Sequence, residues 1–139
     1  MNRQVLLGQL QDQFLFSRNP ALDSNGSLII GHGRNLNDRG ISEDEAGFML
    51  DNDIDQVEAE LERMPLYLSL DPIRQVVMAN MAFNMGMPTL LTFSRMLGAM
   101  AARDWDRAAT EMLDSKWARQ VGKRAVELSE LMRRGEAPA

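Results

Sequence analysis

A chain of 139 residues, 45% of them hydrophobic and 25% charged, is long enough for one domain with a core of its own and has the composition of a globular protein. It has no cysteine and a single histidine, His32, so it offers neither a disulfide framework nor a zinc ligand set, and no metal or cofactor is expected. A formal net charge of −5 runs against nucleic-acid binding, and the N-terminal stretch MNRQVLLGQLQDQF reads as neither a membrane span nor an export signal.

In chain order, Val5, Leu6, Leu10 and Phe14 recur at roughly the helical period and predict a helix over residues 2 to 14. SRNP (17–20) and DSNGS (23–27) carry turn chemistry, with Gly26 free to take the positive φ of a hairpin turn. The apolar run 28–30 predicts a strand, and Gly31 and Gly33 mark a bend or a close backbone approach. Strand alternation places Leu28, Ile30 and His32 on one face, with Ile29, Gly31 and Gly33 on the other. No other segment reads as a strand, so the sheet is small.

From Ser42 onward the pattern is helical. SEDE (42–45) has the spacing of a capping box and opens a long helix that stops before Pro65. Asp71 caps the next helix, Pro72 fills its first turn and Gly86 ends it. That segment is apolar nearly all round, which predicts a buried central helix. TLLTFSRMLGAMAAR, DWDRAATEML, SKWARQ and GKRAVELSELMRR read as further amphipathic helices. Of the eleven methionines, many fall on the buried faces of these helices and are expected to fill gaps in the core, with Trp105 and Trp117 beside them. RQVGKRAVELSELMRR is the most basic stretch, either a solvated helix face or a local offset to the acidic whole. These elements make an α+β fold, mostly α.

Three ordered segments carry a resemblance that covers nearly the whole chain: IGHGRNLNDRGISEDEA, SLDPIRQVVMANMAFNMG and WDRAATEMLDSKWARQVGKRA. Together they resemble the T4-type phage lysozymes, or endolysins, of glycoside hydrolase family 24. The resemblance implies one two-lobed domain over 1–139: a helix-plus-hairpin lobe at 1–42, a connecting helix at 43–64 and a helical bundle lobe at 65–139. It implies hydrolysis of the peptidoglycan glycan, with a glutamate as general acid and an aspartate, helped by a threonine, positioning water. The implied partner is a peptidoglycan glycan strand, and the implied state a monomer without membrane segment. The implied location is the host cytoplasm, with a holin or similar route to the wall.

In the family, eight residues separate the glutamate from the aspartate and five separate the aspartate from the threonine. Anchored on Gly26 and the GxG glycines, this sequence has Asp23 at the aspartate position, Ile29 at the threonine position and Phe14 at the glutamate position. Phe14 has no proton to donate, and Ile29 has no hydroxyl to hold water. On this count the cleft becomes apolar, with Leu15 and Phe16 beside Phe14 and Ile29, and the implied enzyme is weak or inactive. A two-residue insertion within SRNPAL would instead bring Asp12 to the acid position, one methylene shorter than glutamate. Gly31 and His32 also fall in the cleft segment; strand alternation gives His32 a packing or supporting role, against the alternative of a new catalytic base in a repurposed cleft. Arg34 is expected to form a structural ion pair. Asn84 and Arg124 match positions that flank the family's glutamate, leaving Arg124 to a different carboxylate or to solvent. Besides hydrolysis, the residues leave open a non-hydrolytic binding protein, or a cleft remade, naturally or by design, to hold a small apolar ligand or a partner.

Overall fold

The computed structural model describes residues 1–135. The chain forms two compact units, Met1–Met49 and the part from Leu50 onward. Among the described residues there are ten helices and one antiparallel sheet of three strands in the order β1-β2-β3.

The first unit opens with α1 (Arg3–Gln13), where the Asn2 side chain accepts the Val5 N–H at 3.1 Å, as an N-cap does. Strands β1 (Ser17–Leu22) and β2 (Leu28–Gly31) form the expected hairpin around Gly26, whose φ is +80°. A third strand, β3 (Arg34–Asn35), pairs with β2 and leads into the short helix α2 (Leu36–Arg39). It has only two residues, too short for alternation to mark it in the sequence.

SRNP is strand rather than turn. Ser17 pairs with Gly31 and Ala21 with Ile29, so three β1 residues, Arg18, Asn19 and Pro20, stand against Ile30 alone. Strand β1 therefore carries two more residues than β2 across this span, a bulge larger than the usual single extra residue. Its position at the sheet edge lets Pro20 lack an N–H without breaking a ladder. The Ser17 hydroxyl closes the loop by donating to the Asn19 carbonyl at 2.7 Å.

Helix α3 (Glu43–Leu61) begins on the expected capping box: Glu45 N–H donates to Ser42 Oγ at 3.1 Å, and Ser42 N–H to Glu45 Oε1 at 2.9 Å. It ends at Leu61, three residues before the stretch that Pro65 interrupts. The second unit continues with α4 (Pro65–Leu68) and α5 (Pro72–Met85), the latter started by Asp71 and stopped at Gly86. The segment read as one helix after Gly86 is two, α6 (Met87–Leu90) and α7 (Ser94–Ala101). The Thr92 side chain turns back to donate to Thr89 O at 2.6 Å, and this local bond competes with helix continuation. Then come α8 (Trp105–Leu113), α9 (Lys116–Val121) and α10 (Lys123–Arg134).

The core lies within the second unit. Met78, Met81, Met96, Met100, Met112 and Met132 are fully buried there, packed with Leu61, Val77 and Leu90. Trp117 is buried as expected, but Trp105 is only half-buried, with the Arg74 guanidinium 3.7 Å above its ring. Helix α5 is central yet not enclosed all round, since Val76 and Phe83 stay exposed. No helix among the described residues is long and apolar enough to cross a membrane.

Candidate active site

The hairpin turn fixes Asp23 tightly. Its Oδ1 accepts the N–H groups of Asn25 and Ser27, both at 2.9 Å, while its own N–H donates to Ser27 O at 2.9 Å. Both turn bonds fall on one carboxylate oxygen, Oδ1. Asp23 is thus the turn residue that its DSNG context predicts. Ile29 sits half-buried in β2, paired with Ala21 on one side and Asn35 on the other.

Asp12 lies in the last turn of α1 and is exposed. Phe14 follows as the residue that ends the helix, its N–H donating to Leu10 O at 2.8 Å. Leu15 and Phe16 are 79% and 68% exposed, and Phe14 is 47% exposed. His32 does not continue the strand. Strand β2 ends at Gly31, where φ is +66°, and Gly33 follows at +75°. Alternation therefore fails at His32, because two left-handed glycines turn the backbone around it. Its Nδ1 lies 2.6 Å from Phe14 O, and its ring centroid 5.9 Å from that of Phe16.

Arg34 is the ion-pair residue expected of it. Its two terminal nitrogens meet the two oxygens of Glu45, at 2.6 and 2.5 Å, and Nη1 also donates to Gly40 O at 3.2 Å. This fork, with help from the Ser42 N–H, holds the Glu45 carboxyl down at about 2. Ile30, His32, Arg34, Arg39, Ile41 and Phe48 line a concavity of about 550 Å³ in the first unit. Sequence reasoning did not single out Arg39, Ile41 or Phe48, although the exposed run from Phe48 to Leu50 is visible as a break in the polar texture of α3.

In the second unit, Arg124 Nη1 donates to Asn84 Oδ1 at 2.6 Å, and Asn84 Nδ2 donates to Asn80 O and Oδ1, each at 2.8 Å. Arg124 therefore meets neither a carboxylate nor solvent alone. It is exposed and bound to a neutral amide, so no buried lone charge arises. The basic stretch is largely offset by acids: Arg133 pairs with Asp106 at 3.0 Å, Arg134 with Glu130 at 3.5 Å and Lys123 with Glu127 at 3.8 Å. Among the described residues, no group of three or more histidines, cysteines or carboxylates converges to hold a metal ion.

Residues 16–137 match the phage lysozyme family. The chain is similar to probable T4-type lysozyme 1 of Dictyostelium discoideum, 32% identical over 89 residues, which cover 61% of this chain and 52% of that protein. It is similar to probable T4-type lysozyme 2 of the same organism, 31% identical over 103 residues, covering 69% and 61% respectively. A third relative is the pre-baseplate central spike protein Gp5 of Enterobacteria phage T4, 32% identical over 89 residues that make up 61% of this chain and 16% of that protein. The chain thus spans about half the length of the first of these relatives and a smaller part of the spike protein. With most of its length matched, and with the α+β architecture of a small sheet and many helices, the chain belongs to the phage lysozyme family.

Proposed function

We propose that the chain is a muramidase of low activity on the peptidoglycan glycan, with Asp12 as general acid and Asp23 as the carboxylate that positions water. The two extra residues of β1 carry this reading. An uninterrupted count back from Asp23 passes through the bulge and stops at Phe14. A count that leaves out the two extra residues stops at Asp12, in the last turn of α1. Activity is low for two physical reasons. Asp12 is one methylene shorter than glutamate, and proton transfer requires an approach of about 2.6–3.2 Å. Ile29 gives the water no hydroxyl to rest on. In this reading the protein acts as a monomer, is held in the host cytoplasm and reaches the wall through a holin or similar opening.

Turbidity clearance of outer-membrane-permeabilised Gram-negative cells tests the assignment. The native chain should clear them slowly, and Asp12→Ala should reduce the rate by about 100-fold or more, the usual worth of a general acid. Asp12→Glu and Ile29→Thr should each raise the rate, and Phe14→Glu should not. If Phe14→Glu created activity while Asp12→Ala changed nothing, the uninterrupted count would be right. The exposure of Phe14, Leu15 and Phe16 favours a second reading, a site for a small apolar ligand. A chain inert in every variant, yet binding an apolar probe lost in Ile29→Asp, would select that reading.

A further inference from the structure

The geometry points to His32 as a positioning residue that holds the Asp12 end of α1 against the hairpin, an inference that rests on Asp12 being the acid. Helix α1 has no buried residue, so packing alone does little to fix where its last turn lies. Two contacts from residues 31–33 do fix it, and both fall on Phe14. His32 Nδ1 is 2.6 Å from Phe14 O. A carbonyl oxygen only accepts, so Nδ1 must carry the proton and donate it. The imidazolium form also carries a proton there, and the bond therefore survives protonation of the ring.

The second contact is to the ring of Phe14. A Cβ placed on Gly33 would stand 2.7 Å from Phe14 Cδ1 and 2.9 Å from Cγ, so the ring lies directly on this glycine. Gly31 and Gly33 both hold left-handed φ, and these two turns carry the His32 side chain to the Phe14 carbonyl. The GHG segment thus grips, by backbone and by ring, the residue two places beyond Asp12. The grip matters because a short acid tolerates little error. A displacement of about 1 Å at a reacting group can cost about 100-fold in rate. On this account Phe14 is a mechanical anchor for the acid.

The experiment compares turnover of purified peptidoglycan by the native chain, Asp12→Ala, His32→Leu and His32→Asn. Asparagine places an amide N–H one bond beyond Cγ, where Nδ1 stands, whereas leucine offers no donor. His32→Leu should lower kcat by about 10- to 100-fold while KM moves by less than about two-fold, with thermal stability kept because His32 is exposed. His32→Asn should restore most of the lost kcat. Gly33→Ala should lower kcat in the same way, since its methyl group displaces the Phe14 ring. If His32→Leu kept full kcat while Asp12→Ala lost it, the positioning role would be wrong and the acid assignment would stand. If Asp12→Ala kept native turnover, the acid assignment would fall and the positioning role with it. If asparagine rescued no better than leucine, the bond from Nδ1 would not be what matters.

Discussion

Glu45 shows how much one side chain carries in the first unit. It closes the capping box of α3 through Ser42 and receives the Arg34 fork, which ties β3 to the start of that helix. Its carboxyl is held below its ordinary value of 4.5, at about 2, by the Arg34 hydrogen bond first and the Ser42 N–H second. A carboxylate with a depressed value in the folded state stabilises above its unfolded value and loses that contribution as pH falls. The contribution of Glu45 should thus be whole above about pH 5 and fade between pH 4.5 and 2. Glu45→Gln keeps a side-chain oxygen for Ser42 but loses the charge. The difference in melting temperature between native chain and variant should shrink as pH drops from 6 to about 2.5. A constant difference would mean that Arg34 adds nothing electrostatic. Both halves of the capping box were legible in the sequence, because serine and glutamate lie three residues apart on one chain segment. The β1 bulge, on which the proposed Asp12 assignment rests, was not, because a bulge is a property of pairing between strands. The sequence alone does not show that Ser17 faces Gly31 while Ala21 faces Ile29.

At the scale of elements, Arg74 joins α5 to the end of α10. Its Nε donates to Met132 O at 2.7 Å and Nη2 to Arg133 O at 3.0 Å, two carbonyls that the last turn of α10 cannot satisfy itself. Nη1 returns to Asp71 Oδ1 at 3.0 Å, and the guanidinium plane rests on Trp105. Arg74 is one of two buried polar residues among those described, and every nitrogen of its guanidinium has a partner. Arg74→Ala would leave two carbonyls and the Asp71 carboxylate without it, at a cost of about 3–5 kcal/mol. Arg74→Lys should recover little of that, since an ammonium is a point donor and cannot stack on the indole. Chemical denaturation of both variants measures the effect, and a lysine variant as stable as the native chain would sink the argument. Gly135, the C-cap of α10 with φ +75°, leaves the space that the guanidinium occupies. The limits of α5 were readable from Asp71, Pro72 and Gly86, which act within one turn of themselves. The division of α6 from α7 was less so, because TLLTF has no strong breaker and its local Thr bond wins only in three dimensions.

Over the whole molecule, burial is divided unequally between the two units. Every buried side chain lies at Leu61 or beyond, in a core rich in methionine, whereas no residue of Met1–Met49 is fully enclosed. Apolar burial contributes roughly 25 cal/mol per Å², so a unit without enclosed side chains depends on its ladder, its turn bonds and the Arg34–Glu45 pair. Segments with few buried contacts open locally at a free energy below that of global unfolding. Native-state amide exchange should therefore show graded protection. Amides of β1 and β2 should exchange through a low-energy opening, while those of α5, α8 and α10 should exchange only on global unfolding. Within the first unit, the Asn25 and Ser27 amides should outlast their neighbours, because Asp23 holds them both. Equal protection across both units would mean that they open as one. Graded protection would place the Asp23 turn and the His32 grip on the less stable unit, where local bonds set the geometry that a buried core sets elsewhere.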